Sequence, residues 1–310
     1  MKVAVIGGTG FIGSYVVEAL LNDGHSPILL VQEGNEQKAP RKDECRIVTG
    51  HIADEESVRK TISGSEAVIY LIGIIREFRR KGITYEELHF SGAKECMNKA
   101  QELGVKRFLL MSANGVKPEG TGYQRTKYLA EQYMKTTDLE YTIFRPSIVY
   151  GDPKGQNRPE FCTQLRDQLI RLPLPAPLFY SGLLPNDAGK FEMSPVHVKD
   201  VCSIFVQSLS RKESIGQVYA LGGPENFDWK AIIKAIGKAL GKNKWTVPAP
   251  ALGVKSVAVL MDRFSFFPIT RDQITMLMEG NTCDSKDLFE MFGVEPTHFD
   301  QESLSYLLAD

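Results

Sequence analysis

The glycine-rich turn Gly7-Gly8-Thr9-Gly10-Phe11-Ile12-Gly13 stands directly behind the apolar run Val3-Ala4-Val5-Ile6, and it constrains this chain more than any other feature. A β-branched run, glycines at GxxGxxG spacing and a helical pattern over 14–21 describe a strand, a tight turn and a helix. That sequence opens a dinucleotide-binding βαβ unit. Gly7 and Gly10 let the chain turn and bring backbone N–H groups close to a diphosphate, and Gly13 lets the helix pack against the strand. The helix N-terminus adds partial positive charge. Thr9, Phe11 and Ile12 belong to the same loop and are expected to contact the cofactor with it.

The pattern continues. Strand-like runs at 2–6, 28–31, 46–49, 67–72, 107–111 and 142–145 alternate with helical patterns at 14–22, 55–63, 84–103 and 123–136. Asp54 reads as a helix N-cap and Gly104 as a helix-ending glycine. The run VIYLI at 68–72 is apolar on both faces, as a parallel strand covered by helices must be. The expected fold is α/β, a doubly wound parallel (Rossmann) sheet. Residues 1–150 form the dinucleotide-binding domain, with 191–222 returning to it. Residues 151–190 and 223–310 form a smaller, mostly helical region on the substrate side, folded over the carboxyl ends of the strands. Within it, 152–158 and 172–186 read as loops because of Pro173, Pro175, Pro177, Pro185 and neighbouring glycines, around a helical 160–170. Further helices are expected at 198–209, 229–240, 252–264, 272–278, 285–292 and 302–308, with a strand at 218–221.

Charge and cysteines narrow the classes. A net charge of −1 with scattered Lys and Arg gives no basis for a nucleic-acid partner, and REFRRK at 76–81 reads as a solvated loop. The first strand starts almost at once, leaving no room for a signal peptide, and no apolar stretch reaches the ~18 residues of a membrane span. The five cysteines are scattered and form no CxxC, so reduced thiols of a cytoplasmic protein and no metal site are expected.

Tyr123 and Lys127 stand four apart on one helix face. A lysine charge there would lower the tyrosine pKa, letting the phenol exchange a proton with a substrate oxygen during hydride transfer. The same lysine can hold a nicotinamide ribose. Tyr150 and Lys154 repeat the spacing, but Gly151 and Pro153 between them argue against a helix.

Residues 7–13, the strand end FLLMS at 108–112, Tyr123 with Lys127, and RPSIVYG at 145–151 follow the order of the extended short-chain dehydrogenase/reductase superfamily. LIGIIRE at 71–77, GVKRF at 104–108, PVHVKDV at 195–201 and PITRDQ at 268–273 resemble its atypical branch, related to the nucleotide-binding accessory subunit of respiratory complex I and its bacterial homologues. The resemblance implies a bound NAD(P)(H), with Ile72, Gly73 and Pro146 beside the cofactor and Ser112 near the reacting centre. It also implies two departures. The usual catalytic Ser or Thr past the fifth strand falls at Ala113 or Asn114, and His89 stands where a helix Asn holds a water near the lysine. Two functions follow: a nucleotide that is structural or regulatory in a respiratory or assembly complex, peripheral to a membrane; or an oxidoreductase or epimerase using Tyr123 and Lys127 on a polar carbonyl or hydroxyl substrate.

The choice between NAD and NADP stays open. Glu33, about twenty residues past the glycines, fits ribose hydroxyls, while Gln32 holds a position often arginine in NADP binders. Lys38, Arg41 and Lys42 follow closely and could reach a phosphate. His51 and Ile52 occupy the adenine-edge position. His197 and Asp200 read as structural, the aspartate as a helix cap. Met261, Phe264, Phe266, Phe267, Met276 and Met278 form either a core and lid or a surface docking on a membrane-bound partner.

Overall fold

The computed structural model describes residues 1–155, 158–251 and 270–309. In chain order it begins β1 (Lys2–Ile6), α1 (Phe11–Asn22), β2 (Ser26–Val31), β3 (Arg46–Thr49), α2 (Glu55–Ile62) and β4 (Ala67–Tyr70). A π-helical turn (Glu86–Ser91) leads into α3 (Gly92–Glu102), then β5 (Arg107–Met111), α4 (Gly122–Met134), β6 (Glu140–Pro146), β7 (Val149–Tyr150) and α5 (Phe161–Leu165). There follow β8 (Ala176–Tyr180), β9 (Glu192–Met193), β10 (Val196–His197), α6 (Val198–Ser208), β11 (Gln217–Leu221), β12 (Phe227–Asp228), α7 (Trp229–Ala239) and β13 (Thr246–Pro250). Helices at Arg271–Glu279 and Lys286–Phe292 come after these.

The chain divides into two compact units. The first comprises Met1–Pro146, Val198–Leu221 and Asp287–Glu295. Its sheet is wholly parallel, in the order β11-β6-β5-β4-β1-β2-β3. The order reverses between β1 and β4, the switch point where doubly wound sheets open a crevice at their carboxyl ends. The strands are buried as expected of this architecture: no residue of β4 or β5 is exposed. Ala4, Ile6, Val68, Tyr70, Phe108 and Leu110 pack with Met97 and Ala100 of α3 in one apolar cluster. Asp54 caps α2 by accepting from the amides of Glu56 and Ser57, and Gly104 takes φ +72° behind α3.

The second unit comprises Ser147–His197, Gly222–Lys286 and Pro296–Asp310. Trp229, Ile232, Ile233 and Ile236 of α7 pack with Tyr150, Leu178, Met193, Phe299 and Leu304 in a core of its own. The Trp229 indole donates to the Pro177 carbonyl at 2.9 Å.

Several local expectations change. The proline-rich 172–186 is not all loop, because β8 lies within it and pairs in parallel with β13, Leu178 opposite Pro248. A two-stranded ribbon leaves each strand one open edge, and there a proline's missing N–H costs no ladder bond. The helical pattern over 84–103 contains the π-helical turn. There the Tyr70 hydroxyl, fully buried, donates to the Leu88 carbonyl at 2.6 Å, and a Cβ on Gly92 would lie 2.9 Å from that hydroxyl. The chain end forms turns and a short 3₁₀ segment, Ser305–Leu308, instead of a helix over 302–308. The helix expected at 252–264, with Met261, Phe264, Phe266 and Phe267, lies outside the described residues. Met276 and Met278 are half-buried on Arg271–Glu279. Asp200 sits in the first turn of α6, past its start, and His197 packs edge-on against Tyr150.

Candidate functional site

Every residue singled out for cofactor contact lies at the carboxyl edge of the first unit's sheet. Gly7–Gly13 leaves β1 and enters α1; Gln32 and Glu33 follow β2; His51 and Ile52 follow β3; Ile72 and Gly73 follow β4; Ser112 follows β5; and Pro146 ends β6. Gly7 has φ +95°, and a Cβ on it would meet the Ile72 amide nitrogen at 3.1 Å. Gly13 is tighter, since its Cβ would lie 2.1 Å from the Gly7 carbonyl oxygen. The glycines therefore let α1 start against β1 with almost no space between them.

Side chains cap several of the other helices, among them Asp54 on α2, Thr121 on α4, Glu160 on α5 and Asp228 on α7. Gly10, at the start of α1, offers none, and the first turn holds no acidic residue. The amides of Phe11, Ile12 and Gly13 have no intrahelical acceptor, and α1 starts from the loop that leaves β1, the strand at the switch point. An anion fits there, and a diphosphate supplies the acceptors that a cap supplies elsewhere.

Past the end of β2, Glu33 and Gln32 are exposed. The Arg41 guanidinium donates to Glu44 and to Asn22, and the Lys42 ammonium to Gln37, so both cations are engaged. His51 accepts the Ala53 amide through Nδ1 at 3.1 Å, which leaves Nε2 facing outward.

Past β5, α4 begins in a capping box between Thr121 and Gln124, placing Tyr123 and Lys127 on successive turns. The buried Lys127 ammonium donates to the carbonyls of Met111 at 2.8 Å and Ile72 at 3.2 Å, tying α4 to the ends of β5 and β4. Burial brings its pKa down to about 8, opposed by the nearby Glu131 carboxylate. Tyr123 is pushed up to about 12 by burial alone. The expected lowering of the phenol by the lysine is thus absent, because the ammonium is directed at main-chain carbonyls. Tyr123 packs edge-on against Tyr85 and His89, with ring centroids 5.9 and 5.1 Å away. Tyr150, by contrast, is fully buried in β7 and donates to the His298 carbonyl, and Lys154 stands in a turn at φ +55°.

Ser112 Oγ is buried and has no hydrogen-bond partner among the described residues. An orphaned hydroxyl at a strand end beside Lys127 costs stability unless a bound group meets it. The uncapped helix, the glycine cradle and this hydroxyl together fit a bound dinucleotide. When bound, a nicotinamide coenzyme supplies hydride exchange.

The NAD(P)H-binding family matches residues 7–165. The chain belongs to that family. Over 316 residues it is 22% identical to the NADH-ubiquinone oxidoreductase 40 kDa subunit of Neurospora crassa mitochondria, covering 98% of this chain and 78% of that protein. It is 24% identical over 264 residues to the ceramide reductase of Caulobacter vibrioides, covering 85% and 78%. Among solved structures, the UDP-glucose 4-epimerase of Thermus thermophilus in complex with NAD matches with a TM-score of 0.74 at 20% identity, covering 99% of this chain and 98% of that one. That likeness shows that the two chains share a fold.

As a member of the NAD(P)H-binding family, this protein adds two features that sequence reasoning missed. His89 accepts the Ile74 amide through Nε2 at 3.0 Å, so its proton is on Nδ1, which donates to Thr126 Oγ1 at 3.1 Å. Burial first, then the Lys127 charge, hold this imidazole well below its usual range, and the ring is neutral. The fully buried Glu131 accepts bidentate hydrogen bonds from Arg145 of β6. Its signal was present, since Glu131 is one turn past Lys127 on the same helix face. No sequence signal specified the bonds of His89. Among the described residues, no helix is long and apolar enough to cross a membrane.

Proposed function

We propose that this protein holds NAD(P)(H) chiefly as a structural or regulatory ligand within a respiratory or assembly complex, peripheral to a membrane. The observation that carries this is the state of the acid–base pair: Lys127 gives two of its three N–H groups to main-chain carbonyls, and burial pushes Tyr123 up to about 12 with no charge lowering it. A phenol so far above neutral is a poor proton-transfer partner. His89, neutral and bonded on both nitrogens, has no free ring nitrogen with which to hold the water that a helix Asn would hold. Likeness to the 40 kDa subunit over 98% of the chain supports the same reading.

The test is mass spectrometry of nucleotide released from the purified protein, with thermal-shift titration of NADH against NADPH. The proposal expects a retained nucleotide, no turnover across a carbonyl panel, and recovery in a membrane-associated complex. Steady NAD(P)H oxidation by the pure protein overturns it.

One observation favours a second reading, an active oxidoreductase or epimerase. The orphaned Ser112 hydroxyl is available to a substrate oxygen, and the ceramide reductase of Caulobacter vibrioides is among the relatives. Tyr123 would then be the acid–base group and Lys127 its charge partner. On this reading Tyr123→Phe lowers the rate by about 10²–10⁴. Near-normal turnover in that variant removes the role.

A further inference from the structure

Between residues 229 and 251 the chain carries five lysines and no acidic residue, although its overall net charge is −1. Lys230, Lys234 and Lys238 follow one another at four-residue spacing on α7, and all three are exposed. The opposite face of the helix (Trp229, Ile232, Ile233 and Ile236) is buried in the second unit's core, so the row faces solvent. After α7 the chain turns at Gly241, with the Lys242 amide donating to the Gly237 carbonyl at 2.8 Å, and the exposed Lys242 continues the row. None of these four ammonium groups has an ion-pair partner among the described residues.

An apolar patch adjoins the end of this row. The Lys244 ammonium donates to the Leu172 carbonyl at 2.6 Å, and the Ala176 amide donates to the Trp245 carbonyl at 2.7 Å. These bonds bring 172–175 beside 242–247. Trp245 is 79% exposed, Leu174 66%, Leu172 45% and Val247 43%. An indole and leucines in the open, bordered by unpaired lysines, match the chemistry of a bilayer interface, where an aromatic ring sits at headgroup level and ammonium groups meet phosphates.

We propose that this face of the second unit docks on an anionic lipid surface, with the lysines of α7 supplying attraction and Trp245 and Leu174 entering the interface. A nucleic acid could stack on the indole and satisfy the lysines, but it offers nothing to the exposed aliphatic side chains of Leu172, Leu174 and Val247, which an acyl-chain boundary does. The inference deepens the membrane location in the proposed function but uses no residue of the nucleotide site, so vesicle binding and nucleotide retention can fail separately.

The experiment is co-sedimentation of the full chain with phosphatidylcholine vesicles, with and without about 30% phosphatidylglycerol. Tryptophan emission is followed at the same time. Trp229 is buried at 3% exposure, so a change on binding reports Trp245. The expected result is binding to anionic vesicles only, a blue shift quenched by brominated lipid, and weakening with salt. Each lysine is worth about fivefold in affinity, so Lys234→Gln/Lys238→Gln/Lys242→Gln loses about a hundredfold while its melting temperature and nucleotide affinity stay unchanged. Equal binding to neutral vesicles overturns the proposal. So does a failure to bind, or capture of polyglutamate or RNA with no Trp245 shift on vesicles.

Discussion

Glu131 and Arg145 form a bidentate pair that joins α4 to β6, and the carboxylate stands one helical turn beyond Lys127. The pair holds the helix that carries Tyr123 and Lys127, and its negative charge favours the protonated lysine.

Glu131→Gln is expected to cost about 2 kcal/mol, below the range for fully buried pairs because Arg145 is part-exposed. It also moves the Lys127 pKa further down from about 8. An unfolded lysine binds its proton up to about pH 10.4, so the unfolded state holds more protons above pH 8 and stability rises with pH across that window. In the variant the rise begins at lower pH. Urea denaturation as a function of pH, with NMR of the lysine side chain, checks both effects.

Gly13→Ala places a carbon where the Gly7 carbonyl already stands, so α1 must shift away from β1. Nucleotide at 100 times its dissociation constant stabilises the wild type by about 2.7 kcal/mol. The variant is expected to lose that stabilisation. Thermal-shift titration with NADH and NADPH reads it directly, and an undiminished shift would show that the diphosphate lies elsewhere.

His89 is expected to stay neutral with its proton on Nδ1 throughout the range where an ordinary imidazole of pKa ~6.5 titrates. Because the folded pKa is depressed, the unfolded state binds the extra proton as pH falls below ~6.5, and stability falls with it. His89→Gln keeps one acceptor and one donor without titrating. It should flatten the acid side of the stability profile, and nitrogen chemical shifts of the wild-type ring should show no protonation there.

Arg107, at the amino end of β5, is buried and donates to the Glu140 carbonyl, Thr142 Oγ1, the Ser208 carbonyl and Ser214 Oγ. It binds β5 and β6 to the end of α6 without any carboxylate, and burial brings its pKa down to about 10. Arg107→Met orphans these acceptors and is expected to cost about 3 kcal/mol. Nucleotide affinity should hold, since the site is at the opposite edge of the sheet. Chemical denaturation and titration of the same preparation separate the two.

The sequence by itself determined the αβ alternation, the strand-turn-helix unit at Gly7–Gly13, the caps at Asp54 and Gly104, and the helical Tyr123/Lys127 spacing. Those follow from local rules: apolar periodicity, the φ freedom of glycine, and i, i+4 geometry. Only the tertiary structure decided what the side chains do once assembled. Lys127 turns to the carbonyls of Ile72 and Met111 because burial leaves its ammonium in need of acceptors, and two strand ends supply them. His89 is fixed in one tautomer by an amide fifteen residues upstream and a hydroxyl thirty-seven residues downstream. The ribbon of β8 and β13 forms among prolines because each strand completes only one edge. A pattern of residues sets which backbone forms, but a buried charge or hydroxyl takes whichever partners the folded chain brings within hydrogen-bond reach.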